Sequence, residues 1–164
     1  MSRRKLYLFL SGLSVTAFAL SLTLALASCN DATEGQTLWR ATLSGANEVP
    51  ARATAATGSA GITLDGDRVF FSIEVSQLGA ITMSHIHSGA AGTNGPIRVF
   101  LYGPTPATDT INGRLVEGSF TAADVTGVTY DTLLEQMRTG QAYVNVHTTL
   151  YPGGEIRGQT ELIR

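Results

Sequence analysis

Alternating apolar and polar residues in the middle of the chain predict a β-strand over residues 68–75. Val69, Phe71, Ile73 and Val75 fall on one side of it, which is the period of two expected for a half-buried strand. Similar short runs, separated by glycine, proline and aspartate, recur along the chain. They predict further strands at residues 38–43, 58–64, 81–87, 97–102, 113–120, 142–148 and 155–162.

Residues 130–140 follow a helical pattern instead. Three apolar side chains recur there at helical spacing. They are Leu133, Leu134 and Met137. Asp131 is the expected N-cap and Gly140 the expected stop, and we expect this helix to cover one end of the sheets.

The predicted elements together indicate an all-β domain. About eight short strands with one short helix are typical of an antiparallel Greek-key β-sandwich or flattened barrel. The Asp65-Gly66-Asp67 turn is expected to join two of the strands as a hairpin. The composition agrees, because 18 glycines and only 15% charged residues are unlike a helical bundle, while 43% hydrophobic residues argue against disorder.

The first 28 residues have the layout of an export signal. A basic Arg3-Arg4-Lys5 start precedes an apolar run that ends at Leu26-Ala27-Ser28-Cys29. These last four residues resemble the lipobox of bacterial lipoproteins. The resemblance implies cleavage before Cys29, a lipid on its thiol, and attachment to a membrane of the cell envelope. A plain signal or an uncleaved membrane helix is the alternative.

On this interpretation residues 29–37 form a tether and residues 38–163 form a domain that faces the periplasm or the exterior. Residues 29–164 carry eight arginines against thirteen acidic residues, a formal charge of −5. Without a basic patch, nucleic acid is not an expected partner. Cys29 is the only cysteine, so no internal disulfide can form.

The three histidines of the chain all lie near glycine-rich turns. His85 and His87 are two residues apart on a predicted strand and share a face, and His147 lies in another predicted strand. If the two strands are neighbours, the three imidazoles can meet. Three histidine nitrogens suit copper or zinc and leave one position open for water or substrate. In the structural alternative, the imidazoles bond to backbone carbonyls of the adjoining loops and hold them in place.

Other catalytic patterns are missing from the sequence. It contains no G-x-S-x-G elbow, P-loop, dinucleotide fingerprint or EF-hand loop, so no enzyme class is indicated. Glu155, Arg157 and Gln159 alternate along the last predicted strand. They are expected to form its polar face, with an ion pair across to a neighbour.

Three segments of the chain, in order, resemble the CHRD domain, a module first described in chordin and also found in exported bacterial proteins. They read LSGANEVP at residues 43–50, SHIHSG and NGP within residues 84–96, and YVNVHT to YPGGEIRGQ at residues 143–159. The match extends over about residues 38–162. It implies an extracytoplasmic binding or interaction module, although the growth-factor partners of chordin do not carry over to a bacterial lipoprotein.

A more distant resemblance concerns the histidines. His85-Ile86-His87, followed by Val-x-Val-His ending at His147, is similar to the copper half of Cu/Zn superoxide dismutase, which is also a Greek-key β-barrel. The resemblance implies that His85, His87 and His147 are copper ligands. The bridging histidine, the zinc histidines and the disulfide pair are absent, and Arg157 does not match that family's active-site arginine, so a bimetallic dismutase is not expected.

The sequence therefore leads to two expectations. The first is a lipid-anchored CHRD-domain protein that binds an envelope or extracellular partner. The alternative is a mononuclear copper or zinc protein that uses His85, His87 and His147, with or without redox activity.

Overall fold

The structure is a computed structural model and describes residues 36–164. The predicted signal, the lipidation site at Cys29 and all but the last two residues of the predicted tether lie outside the described residues. Within residues 36–164, no helix has the length and hydrophobicity that a membrane span needs.

The described chain forms nine β-strands and one α-helix. In chain order they are β1 (Thr37–Ser44), β2 (Thr57–Asp65), β3 (Arg68–Leu78), β4 (Ile81–Ser88), β5 (Ile97–Tyr102), β6 (Ile111–Phe120), α1 (Tyr130–Arg138), β7 (Ala142–Thr148), β8 (Ile156–Gln159) and β9 (Glu161–Leu162). The last predicted strand is divided at Thr160, whose amide instead donates to the carbonyl of Ala142.

All the strand pairs of the described chain are antiparallel, in the order β5-β4-β7-β8-β1-β2-β3-β6, and β9 pairs with β1. The two terminal strands, β5 and β6, approach each other, so the sheet is nearly closed and resembles a barrel. The prediction of an all-β flattened barrel with one helix is confirmed. This order also makes β4 and β7 neighbours.

The core lies inside this curved sheet. The four side chains predicted to share one side of β3 are all buried there, together with Trp39 from β1. Leu133, Leu134 and Met137 of α1 join the same apolar cluster, as their helical spacing predicts. Burial of these apolar side chains is the main force that holds the sheet closed.

The start of α1 differs from the expectation. Thr129, not Asp131, is the N-cap, and its hydroxyl accepts a hydrogen bond from the amide of Thr132. Asp131 lies in the first turn, where its charge still favours the helix because of the helix dipole. Threonine and aspartate are both good N-caps, so the sequence did not distinguish them.

The strands β4, β7 and β8 are buried on both faces. One face of β7 carries Val144 and Val146 into the apolar core, while the other carries Tyr143, Asn145 and His147. Loop residues cover this second face from outside the barrel, and all of β7 is buried. The molecule therefore has an apolar layer inside the sheet and a polar, buried layer on its outer side.

Candidate metal centre

The structure brings the three histidines together in the polar layer. Each offers a ring nitrogen, and these three atoms lie within 4.8 Å of one another. His85 Nδ1 and His147 Nε2 are 3.0 Å apart. All three side chains are buried, and His85 is fully excluded from solvent.

Strand register explains why they meet. β4 runs antiparallel to β7, with His85 opposite Asn145 and His87 opposite Tyr143. His147 lies two residues beyond Asn145, so it projects from the same face. His85 and His147, which are 62 positions apart in the chain, are thereby placed in contact, and no local pattern could specify this.

Burial keeps the imidazoles neutral. It lowers the pKa of His85 from 6.5 to about 3, helped by the proximity of His147 and His87. Burial is also the main reason why the pKa values of His87 and His147 are lowered. A neutral imidazole has one ring nitrogen with a free lone pair, which is the form that binds a metal ion.

Two backbone carbonyls determine which nitrogen carries the proton. His87 Nδ1 lies 2.8 Å from the carbonyl oxygen of Gly95, and His147 Nδ1 lies 2.8 Å from that of Pro152. A carbonyl oxygen can only accept, so both Nδ1 atoms must donate, and both Nε2 atoms keep their lone pairs. These two bonds also hold the adjoining loops, as the structural alternative expected.

The cluster contains more acceptors than donors. Among the described residues, the buried Nε2 atoms of His85 and His87 have no hydrogen-bond partner. His147 Nε2 faces Asn145 Oδ1 at 3.0 Å, although neither atom carries a proton in this arrangement. With His147 Nε2 as an acceptor, the single proton of His85 can be donated to it from Nδ1, and Nε2 of His85 and of His87 remain acceptors without a donor in the described part of the chain. Buried polar atoms are normally satisfied, so this surplus of acceptors indicates a place suited to a cation.

Below the cluster lies a buried ion pair. Arg157 of β8 donates from Nη2 to Glu48 Oε2 at 2.9 Å, and both side chains are only 2% exposed. The Arg157 guanidinium lies 4.1 Å from the ring centre of Tyr143, and that ring stacks on His87 with 4.8 Å between centroids. Arg157 therefore does form an ion pair, but its partner lies in the loop after β1 and not on a neighbouring strand, and the face that was expected to be polar is buried under loops.

The same arginine holds the loop between β4 and β5. It donates to the Thr93 carbonyl at 2.8 Å and to the Asn94 side chain. A Cβ at Gly95 would overlap the carbonyl oxygen of Ser88, so only glycine fits where the loop returns to β4. This arrangement places the Gly95 carbonyl where His87 can donate to it.

Several residues of the site were not assigned a role from the sequence. Glu48, Asn94, Gly95 and Asn145 surround the histidines, and Arg157 was interpreted only as part of a strand face. All of them lie in the three segments that carry the family resemblance. Their position in these three segments was the one sign in the sequence that they belong to a common site. The structure brings the three segments together around one polar layer.

The surroundings limit the chemistry of the cluster. The three histidines are neutral nitrogen donors, and the nearest described ion pair has no net charge. Phe100 packs edge-on against His85, with 4.5 Å between ring centroids, and is 55% exposed, so the cluster lies one aromatic ring below the surface. This donor set suits a borderline metal ion rather than a hard ion such as Mg²⁺ or Ca²⁺.

Comparison with known proteins identifies the domain. Residues 39–160 match the family model for the CHRD domain. No curated protein and no solved structure matches the chain significantly. The family match covers most of the chain and includes every residue of the histidine cluster, so the chain belongs to the CHRD domain family.

Proposed function

We propose that this CHRD domain binds a single copper or zinc ion through His85, His87 and His147. The observation that carries the proposal is the convergence of three buried ring nitrogens within 4.8 Å. Histidine nitrogens are among the usual ligands of both metals, with bonds of about 2.0–2.1 Å to zinc. Small shifts of the rings would bring all three nitrogens to that distance from one ion.

The hydrogen bonds of the cluster support the proposal. Metal-binding histidines usually donate their second nitrogen to a carbonyl or carboxylate, which fixes the ring and its tautomer. His87 and His147 already do this through Gly95 and Pro152. Because burial keeps the pKa values of all three histidines low, protons would compete only weakly with a metal at neutral pH.

Metal analysis of the purified protein tests the proposal. After incubation with copper or zinc and removal of excess metal, we expect about one ion per chain. His85→Ala should lose the ion, and Ser84→Ala should retain it. Ser84 is a matched control because it is a buried polar neighbour on the same strand whose hydroxyl bonds to a backbone carbonyl. Equal metal content in the two variants would remove His85 from the site.

We also propose that the protein is anchored to an envelope membrane through a lipid on Cys29, with the CHRD domain outside the cytoplasm. The lipobox-like sequence supports this location. The variant Cys29→Ala should carry no lipid, because alanine has no thiol that can be acylated. Mass spectrometry of the N-terminal peptide should show an acylated cysteine in the wild type, and an unmodified cysteine there would contradict the proposal.

A role as an interaction module is the second candidate function. It is favoured by an open groove on the barrel surface, where Phe70 and Ile163 are 46% and 59% exposed and Leu38 lies beside them. Exposed apolar grooves of this kind occur at protein interfaces. A photo-crosslinker at position 70 should capture a discrete envelope partner, whereas one at the exposed Glu135 of α1 should not. The same weak adducts at both positions would count against this role.

A further inference from the structure

The proposed ion needs a fourth ligand or an open position. A closed set of protein ligands is typical of structural zinc sites, whereas catalytic zinc sites keep one position for water or substrate. The identity of the fourth donor therefore decides what the site can do. A protein donor in that position must face the three ring nitrogens.

Asn145 is the residue in the right place. It lies on β7 opposite His85 and two residues before His147, and only 1% of it is exposed. Its Oδ1 is 3.0 Å from His147 Nε2. The amide oxygen thus lies beside the contact between His147 Nε2 and His85 Nδ1, which are themselves 3.0 Å apart.

The surroundings also indicate which end of the amide faces the cluster. A Cβ at Gly154 would collide with both Asn145 Nδ2 and Glu48 Oε1, so these two atoms lie against the same side of Gly154. An amide NH₂ is favoured on the side of a carboxylate, which leaves Oδ1 for the imidazoles. Gly154 has a φ of +120°, and the absence of a side chain there makes room for this orientation.

From this geometry we infer that Asn145 Oδ1 is the fourth ligand of the ion bound by His85, His87 and His147. The inference rests on the proposed metal site and extends it. It also explains why the Asn145 carbonyl oxygen lies 3.0 Å from a ring nitrogen that carries no proton, since a cation close to both atoms would bind both lone pairs. The resulting site is closed and has only neutral ligands, which suits binding of the ion rather than turnover of a substrate.

Copper(II) electron paramagnetic resonance in ¹⁷O-enriched water tests the inference on the full-length protein. A water bound in the plane of the ion broadens the spectrum, because the ¹⁷O nucleus couples to the unpaired electron. With Asn145 as the fourth ligand, the wild type should show no broadening. Asn145→Ala should admit a water and broaden the spectrum.

Two further variants separate coordination from positioning. Asn145→Asp places a carboxylate oxygen where the amide oxygen was, so its copper complex should exclude water and show no broadening, even though its second oxygen lies towards Glu48 Oε1 and lowers stability. Ser84→Ala, which loses only a hydrogen bond to the Asn145 backbone carbonyl, should behave as the wild type. If Asn145 merely oriented His147, the wild type would already hold a water, and both the wild type and Asn145→Asp would show the broadening.

The possible failures are distinguishable. A wild type that binds one copper ion and shows ¹⁷O broadening overturns the assignment of Asn145 and leaves the three-histidine site intact. A wild type that binds no copper or zinc overturns both proposals. Should Asn145→Ala fail to fold, the spectrum of the wild type still tests the assignment, because the presence or absence of bound water is measured there directly.

Discussion

Among the individual residues, those of the polar layer are costly to bury unless they are paired. Arg157 and Glu48 are charged and almost completely enclosed, so each depends on the other. The three histidines avoid the same cost by remaining neutral. A polar layer of this kind tolerates little change, because removal of a paired side chain leaves its buried partner without a hydrogen bond.

Substitution of Arg157 should test this dependence. Arg157→Met would leave the Glu48 carboxylate buried without its cation, and we expect a loss of about 3–5 kcal/mol in the free energy of unfolding. The double variant Arg157→Met with Glu48→Gln should recover part of that loss, because no charge remains buried. Urea denaturation of the two variants measures the difference, and equal stability of both would contradict a charge-based explanation.

Among the strands and the helix, β3 is the element that the sequence pattern predicts most clearly. Its period of two placed Val69, Phe71, Ile73 and Val75 on one face, and the structure buries all four. The strand extends three residues beyond the predicted end, to Leu78, with a register shift against β6 in that part. Local alternation predicts a strand and its buried face well, whereas its end depends on the partner strand.

Shortening the side chain of Phe71 tests whether its face of β3 is buried. Phe71 packs near Phe120, with 6.4 Å between ring centroids, and lies against Gly118. Phe71→Ala should lower the free energy of unfolding by about 3–5 kcal/mol, because it removes buried contacts and leaves a cavity. Phe70→Ala is the neighbouring control on the exposed face and should cost much less. A loss below about 1 kcal/mol for Phe71→Ala would show that its face is not buried.

At the scale of the whole domain, closure of the sheet creates both the apolar layer inside it and the polar layer on its outer side. The order β4-β7-β8 places the three histidines, Tyr143 and Arg157 on one outer face, and the loops after β1, β4 and β7 then cover it. The site therefore forms only when the barrel does. Its protonation should in turn influence how stable the fold is.

The pH dependence of stability follows from the histidine pKa values. In the unfolded chain His85 has a pKa near 6.5, and in the folded protein it has a pKa of about 3. Between these values the unfolded state binds more protons, so stability should be complete above about pH 6.5 and should fall as the pH drops towards 3. The lowered pKa values of His87 and His147 act in the same direction.

Urea denaturation of the metal-free protein between about pH 7.5 and pH 4.5 measures this effect, and we expect a loss of about a few kcal/mol over that range. His85→Leu removes one of the titrating groups and should make the dependence shallower. Stability that is independent of pH in the wild type would mean that the imidazoles are not kept neutral by burial. Saturation with zinc should raise stability at about pH 7.5 if the proposed site binds it.

Within the described residues, most of the strands, the α-helix and the apolar faces could be predicted from the amino-acid sequence alone, because they follow from side-chain periodicity over a few residues. The pair His85 and His87 could be predicted too, since residues two apart on a strand share a face. The contact with His147, the Glu48–Arg157 pair and the position of Asn145 required the folded structure. They depend on which strands become neighbours and in what register. Packing across the entire sheet determines both, and no local sequence pattern does.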